Sequence, residues 1–204
     1  MNRKEEIGMN GSLRSENIPG TVFNIEKMDG ATGGEFLDKV FYITNGIMLA
    51  QIREITGLDG TTLQNWVKRG WVSNPQKKSY DKEQVARILI ICMMRDTMQL
   101  SRIAFLLQYI NGSTEDDRIV SESRLYDYIC RVLGMVFDEN SAGLNGLDGF
   151  IDEVTADYTE PVSGAARRLK NGISIIATTY YAAIIKSSAD RTLDSLGAET
   201  KRRR

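Results

Sequence analysis

Apolar residues recur at helical spacing between residues 49 and 70, and this is the clearest pattern along the chain. The positions are Leu49, Ile52 and Ile55 in a first run, and Leu63, Trp66 and Val67 in a second. Gly57 follows the first run and Gly70 the second, and glycine readily takes the left-handed conformation that ends many helices. The pattern predicts two short helices joined by a tight turn, typical of a helix-turn-helix, although many helical proteins contain such a pair.

Capping residues mark where two of the predicted helices begin. Leu58-Asp59-Gly60 separates the two apolar runs, and Asp59 is one candidate for the N-cap of the second helix, with Thr61 the other. Further along, Asp81 and Gln84 have the spacing of a capping box, in which an acid and an amide bond reciprocally to the backbone. The sequence therefore predicts one helix that begins near residue 60 and another that begins just after Asp81.

A polar, basic segment lies between these two predicted helices. Trp71 and Val72 precede it, the adjacent Lys77 and Lys78 lie near its end, and Tyr80 closes it. This arrangement predicts two short extended pieces around a basic loop, which is the form of a wing.

Helical periodicity also covers most of the chain outside this region. We expect a short helix from Phe36, one after Asp81, one from about Ser101, an amphipathic helix over residues 122–137, a short helix that ends before Pro161, and a long helix over residues 165–193. The fold class is therefore mainly α, with a small β wing. We expect a mostly flexible segment at residues 1–35, with a short ordered piece at residues 21–25, and a winged helix-turn-helix domain at residues 36–112. Residues 113–204 form a helical carboxy-terminal region, which ends in an unstructured basic tail at residues 199–204.

Composition narrows the range of functions. The 204 residues include no histidine, which is the commonest general base and the commonest metal ligand in proteins. The two cysteines, Cys92 and Cys130, lie in apolar helical stretches, and we expect them to be buried apolar residues rather than a disulfide. We therefore expect no enzymatic activity, no metal and no cofactor.

The apolar stretches are too short for a membrane span. The most apolar window, residues 173–185, covers 13 residues, fewer than the roughly 20 that cross a bilayer. Residues 1–20 hold no apolar stretch of the signal-peptide type. We expect a cytoplasmic protein without a membrane partner.

Charge is strongly patterned although the net charge is −1. Residues 51–110 hold nine Lys/Arg and five Asp/Glu, a balance of +4, and residues 111–165 hold three and twelve, a balance of −9. Residues 166–204 hold nine and three, a balance of +6. A basic segment beside an acidic one is typical of a protein with one surface that faces an anion.

The central segment resembles the MerR-type DNA-binding domain. Its TLRYY segment corresponds to Thr62-Leu63-Gln64-Asn65-Trp66, and its glycine with two apolar residues corresponds to Gly70-Trp71-Val72. Its proline corresponds to Asn74-Pro75, its basic wing to Lys77-Lys78 and its closing tyrosine to Ser79-Tyr80. Its acid-capped helix corresponds to Asp81 to Ile88. The closer likeness is to an uncharacterised family of MerR-related proteins from Gram-positive bacteria, which show a KKSY-like wing, a VARILIIC-like helix and a DTxQL-like turn, here Asp96 to Leu100. The resemblance covers roughly residues 36–137.

This resemblance implies a winged helix-turn-helix that binds double-stranded DNA and regulates transcription. The chain departs from the MerR pattern at Gln64, where relatives place an arginine that contacts phosphate, and at Asn65, where they place an aromatic residue. The metal-binding cysteines and aromatic pockets of some MerR regulators have no counterpart in the sequence. The resemblance therefore implies no particular effector.

The second predicted helix presents a polar face opposite its apolar residues. At 100° per residue this face carries Thr61, Asn65 and Lys68, flanked by Gln64 and Arg69. Amides and hydroxyls suit contacts to base edges, and cations suit contacts to phosphates. We expect base contacts from Thr61, Gln64 and Asn65. We expect phosphate contacts from Lys68, Arg69, Lys77 and Lys78.

Other interpretations stay open at the level of sequence. The polar face could be an ordinary solvated helix surface, and the near-neutral total charge and Gln64 also fit a protein-interaction module that does not bind DNA. The apolar middle of the long last helix needs burial on most sides, either within the monomer or in a homodimer, and we favour the homodimer because a helix-turn-helix usually occupies two half-sites. The operator, any effector, and the choice between activation and repression are not specified by the residues.

Overall fold

The computed structural model describes residues 16–112, 114, 116–138 and 140–202, with side chains described as far as residue 196. Within these ranges the chain is mainly helical, with one small antiparallel sheet. The elements are α1 Gly33–Phe41, β1 Ile47–Met48, α2 Leu49–Thr56, α3 Gly60–Lys68, β2 Ser79–Tyr80, α4 Lys82–Met94, α5 Leu100–Asn111, α6 Glu122–Val136, α7 Leu147–Val154 and α8 Ala165–Arg202. Short 3-10 helices lie at Glu26–Met28 and Gly143–Gly146.

The predicted helix starts and stops around α2, α3 and α4 are confirmed. Asp59, not Thr61, is the N-cap of α3, because its carboxylate accepts from Thr62 N at 2.8 Å and from the Thr62 hydroxyl at 2.6 Å. Gly57 ends α2 with φ of 67°. The capping box before α4 is complete, since Gln84 N donates to Asp81 Oδ1 at 2.8 Å and Asp81 N donates to Gln84 Oε1 at 3.0 Å.

The small sheet pairs different residues from those we expected. Ser79–Tyr80 is a strand, but its antiparallel partner is Ile47–Met48, with Ile47 opposite Tyr80 and Met48 opposite Ser79. Trp71 and Val72 do not form a strand. Trp71 N donates to Trp66 O at 3.0 Å, and Trp71 O accepts from Arg87 Nε at 2.5 Å, so the end of α3 and an arginine take the bonds that a ladder would have used.

The hydrophobic core is continuous from Ile18 to Tyr180. Helix α4 is buried on nearly all sides and packs against α1, α2, α5, α6 and α8, while α6 packs against α1, α4, α7 and α8. The core therefore runs across the boundary at residues 112 and 113 that we drew from the sequence. The helix pair α2–α3 lies at one side of this body and joins it through the buried Ile52, Leu63 and Trp66.

Part of the amino-terminal segment that we expected to be mostly flexible packs on the core. Ile18 is fully buried, and the Tyr126 hydroxyl donates to Pro19 O at 2.7 Å. Gly20 has φ of 79°, and a Cβ placed there would lie 2.3 Å from Leu89 O, so only glycine lets the chain approach α4 this closely. Residues 1–15, which carry the rest of that prediction, lie outside the described residues.

One face of the apolar middle of α8 is buried within the monomer. Ile173, Ile176, Ala177 and Tyr180 are buried against the helical body, whereas Ile175, Ala182 and Ile185 are exposed. Burial inside the chain thus accounts for part of the apolar surface for which we favoured a dimer interface. The helix also continues to Arg202, past the predicted end at residue 193, so residues 199–202 of the predicted unstructured basic tail are helical, while residues 203–204 lie outside the described part of the chain.

None of the described helices combines the length and the apolar character that crossing a bilayer requires.

Candidate nucleic-acid interface

Helix α3 presents a continuous polar face to solvent. Its inner side is fixed to the body by the buried Leu63 and Trp66. All five residues that we predicted on its outer side are exposed: Thr61, Gln64, Asn65, Lys68 and Arg69. The predicted face therefore exists as a surface, with amides and a hydroxyl toward the start of the helix and cations at its end.

The cations of this region have no carboxylate partner among the described residues. Lys68, Lys77 and Lys78 make no ion pair and no side-chain hydrogen bond there. The Arg69 guanidinium lies over the Trp71 ring, 5.2 Å from its centroid, a contact that leaves the guanidinium edge free for other partners. Four positive charges are thus available to an external anion.

Lys77 and Lys78 occupy the centre of a two-residue turn. Ser79 N donates to Gln76 O at 2.8 Å, and Gln76 N donates to Ser79 O at 3.0 Å. Both lysines have a left-handed backbone, with φ of 49° and 66°. This is the type I′ pattern of tight hairpins, and we call residues 76–79 the lysine turn.

The backbone of the lysine turn is strained, because both of its central residues are lysines in the left-handed conformation. A left-handed backbone costs a residue with a Cβ roughly 1–2 kcal/mol, and type I′ turns usually contain Asn-Gly because those residues avoid most of that cost. Backbone strain of this kind concentrates at functional sites. Two adjacent exposed ammonium groups are therefore held at the tip of the turn at the expense of stability.

The first turns of α4 hold the segment that leads into the lysine turn. The Gln84 side-chain amide donates to Ser73 O and Asn74 O, both at 3.0 Å, and to the Ser73 hydroxyl at 2.9 Å. Gln84 is also the capping-box residue of α4, so one side chain ties the helix start to this segment. The sequence indicated the capping role of Gln84 but not this second role, because the contact spans ten residues of irregular chain.

A buried ion pair connects the same region to the carboxy-terminal helices. Arg87, which donates to Trp71 O, also bonds through Nη1 to Glu122 Oε1 at 2.6 Å. Glu122 is 6% exposed, and its Oε1 also accepts from Asn111 Nδ2 at 3.3 Å. A series of contacts thus links Arg69 through Trp71 and Arg87 to the buried Glu122 carboxylate at the start of α6.

A cleft of about 470 Å³ separates the end of α3 from the start of α5. Asn65, Arg69 and Trp71 line one side, and Gln99 and Ser101 line the other. Gln99 and Ser101 were absent from our prediction, because they are distant in sequence and only the fold brings them into the same cleft as Arg69. The cleft combines a guanidinium, an amide and a hydroxyl, which are hydrogen-bond donors suited to a phosphate.

The cysteines and acids offer little reactive chemistry. Both thiols are free, and burial raises the pKa of Cys92 and of Cys130 to about 12, so they are neutral at physiological pH. Hydrogen bonds from the Thr62 side chain and backbone lower the pKa of Asp59, which keeps this cap ionised. In the described part of the chain, no group of three or more Cys, Asp or Glu is placed to hold a metal ion.

Residues 31–129 match a protein family described as a domain of unknown function, DUF1836. The match covers just under half of the chain and includes α2, α3, the lysine turn and Glu122. Comparison with curated proteins and with solved structures found no significant match to either. Over this segment the chain is similar to that family, whose description names no activity.

Proposed function

We propose that this protein is a cytoplasmic regulator of transcription that binds double-stranded DNA through a MerR-like winged helix-turn-helix. Helices α2 and α3 form the helix-turn-helix, and the lysine turn is the tip of the wing. In the complex α3 lies in the major groove, and the lysine turn lies against the neighbouring phosphate backbone. This role requires no catalysis and no cofactor.

The lysine turn is the observation that carries this proposal. Two lysines occupy left-handed positions that Asn-Gly would fill at lower cost, and both side chains are exposed without a carboxylate partner in the described structure. A polyanion with closely spaced charges is the natural partner for such a pair, and duplex DNA supplies one.

The outer face of α3 has the side chains needed to read bases. Gln64 and Asn65 can bond in bidentate fashion to adenine, and the Thr61 hydroxyl tolerates several bases. Lys68 and Arg69 hold the flanking phosphates. Because Gln64 replaces the arginine that MerR relatives use for phosphate contact, we assign that anchoring to Arg69 and to the cleft that it shares with Gln99 and Ser101.

We further propose that the protein binds as a homodimer, with one copy on each half-site of a palindromic operator. Support comes from the part of α8 beyond Tyr180, where Ile185, Leu193 and Leu196 are exposed on a helix that extends past the core. Sedimentation equilibrium should give a dimer at micromolar concentration. A monomer under those conditions contradicts the dimer while leaving the DNA contact to be tested separately.

The test of DNA binding is the salt dependence of affinity for a fluorescent duplex. Each phosphate contact contributes about 0.9 to the slope of log K against log salt concentration. The double variant Lys77→Ala/Lys78→Ala should therefore lose about two units of slope. The control Lys27→Ala/Lys186→Ala removes the same charge from exposed sites elsewhere and should keep the wild-type slope. Equal slopes for wild type and the first variant contradict the wing assignment, and absence of binding by the wild type contradicts the proposed function.

One observation favours a second candidate, a protein-interaction module on the same scaffold. Tyr42 and Ile43 are 86% and 89% exposed just before β1, and Met48 within β1 is also exposed. Three large apolar side chains along one short stretch are unusual on a free surface. Failure of the wild-type protein to bind heparin or duplex, together with a co-purifying protein lost on Tyr42→Ser/Ile43→Ser substitution, is the outcome this candidate predicts.

A further inference from the structure

Two cavities meet on the surface of α6, and no residue of α3 lines either of them. The smaller, about 220 Å³, lies under the amino-terminal segment and has apolar walls from Ile25, Leu133, Phe137 and Tyr180. The larger, about 530 Å³, lies between α6 and α7. Both are lined by Gly134 and Asp138, so these two residues mark the place where the cavities adjoin.

Gly134 keeps this junction open. It lies in the last turns of α6, where a glycine costs about 1 kcal/mol relative to alanine. A Cβ at this position would have no heavy atom of the described residues within 4 Å, so the packing of those residues gives no reason for a glycine. The space that a side chain would occupy belongs to the two cavities, and a ligand that passes from one to the other would use it.

The size and walls of the smaller cavity suit a single aromatic ring. An apolar cavity of about 150 Å³ is enough to hold benzene, and this one is about 220 Å³. Phe137 already packs edge-on against Tyr180, with centroids 6.4 Å apart, and stacks on Tyr181 at 5.4 Å. A further ring would extend this aromatic cluster with the offset geometries that such groups prefer.

The charged side chains that line the two cavities favour a cationic ligand. Asp138 is the one charged side chain among the described residues that line the smaller cavity. Its Oδ1 accepts from Asn140 N at 2.8 Å, which leaves Oδ2 for another donor. Glu153 adds a second carboxylate in the larger cavity, and both lie in the segment of residues 111–165 whose charge balance is −9. Arg131 also lines the larger cavity, but its guanidinium lies 4.0 Å from the Asp127 carboxylate, so the two carboxylates outweigh it and the local field favours cations.

We propose that the two cavities form a binding site for a small aromatic molecule that carries a protonated amine. The ring lies in the smaller cavity against Phe137 and Tyr180, the chain of the ligand crosses Gly134, and the ammonium group pairs with Asp138. This site is independent of the proposed DNA contact, because none of its residues belongs to α2, α3 or the lysine turn.

The test uses 2-phenylethylamine as the probe, with 2-phenylethanol and 3-phenylpropionate as neutral and anionic comparisons, in calorimetric titrations of the full chain. We expect saturable binding of the amine, weaker binding of the alcohol and no binding of the carboxylate. Asp138→Asn should weaken amine binding roughly two- to fivefold, the range of an exposed ion pair, and should leave the alcohol unaffected. Absence of saturable amine binding at millimolar concentration, or equal binding of amine and carboxylate, overturns the proposal.

Two matched glycine substitutions test the position of the ligand. Gly134→Leu fills the junction and should reduce amine affinity by about tenfold or more. Gly149→Leu places the same side chain at an open, exposed helical position of α7 that lines neither cavity, and it should bind as the wild type does. Gly134→Ala keeps the test valid if leucine disturbs folding, since alanine should preserve stability and still weaken binding. Unchanged affinity in both Gly134 variants contradicts this site.

Discussion

The helical body and the proposed DNA-binding region of α3 and the lysine turn differ in how their cations are partnered. In the body, several cations pair with acids: Arg87 bonds to Glu122, Arg124 to Asp157 and Lys170 to Asp152. In the proposed DNA-binding region, Lys68, Lys77 and Lys78 have no such partner among the described residues, and strained backbone holds two of them at the tip of a turn. Under the proposed function these unpaired cations are available to DNA, whereas the cations of the body that pair with acids are not.

The largest expected effect comes from breaking the buried pair. Arg87→Met leaves Glu122 buried without its cation, and we expect a loss of about 3–5 kcal/mol in the free energy of unfolding, measured by urea denaturation. Lys82→Met is the control, because its pair with Asp38 is exposed and should contribute at most about 1 kcal/mol. Similar losses in both variants would show that the body does not depend on this pair.

A smaller effect should distinguish two glycines with the same backbone conformation. Gly20 and Gly70 have φ of 79° and 71°, but only Gly20 lies against another backbone, at Leu89. Gly70→Ala should cost about 1 kcal/mol from the left-handed backbone alone, and Gly20→Ala should cost clearly more, because the added Cβ would overlap Leu89 O. Thermal unfolding of both variants measures the difference. An equal loss would mean that the amino-terminal segment does not pack on α4 as described.

The smallest effect concerns alkaline pH and the body. Burial raises the pKa of Cys130 to about 12, whereas an unfolded thiol titrates near 8.5. Between these two pKa values the folded state keeps a proton that the unfolded state has lost. The free energy of unfolding is therefore unaffected by this thiol below about pH 8.5, and above it falls by at most about 1.4 kcal/mol per pH unit. Denaturation of wild type and Cys130→Ala at pH 7 and pH 9 tests this. The same pH dependence in both would show that this thiol does not contribute.

Local signals predicted the parts of the fold that depend on neighbouring residues. Asp59, Gly57 and the Asp81–Gln84 box act within one helical turn, and the structure places each of them as expected. The sheet could not be predicted in this way, because the partner of Ser79–Tyr80 is a two-residue strand before α2. The packing of Pro19 on Tyr126 was hidden for the same reason, since 107 residues separate them.

The candidate interface likewise contains some features that local sequence signals predict and others that they do not. The outer face of α3 follows from helical periodicity, and the five side chains we named on it are exposed. Neither the contribution of Gln99 and Ser101 to the cleft nor the left-handed conformation of the lysines has a local signal. A Lys-Lys pair in a type I′ turn in fact runs against the residue preferences from which such turns are predicted.

The most direct test of the central claim replaces the lysine turn by the sequence that its backbone prefers. Lys77→Asn/Lys78→Gly removes both charges and relieves the left-handed strain, so the free energy of unfolding should rise by about 1 kcal/mol or more. The affinity for duplex DNA near physiological salt should fall roughly thirtyfold, as expected for two lost phosphate contacts. Higher stability with weaker binding is the result that the account predicts, and higher stability with unchanged binding would contradict it.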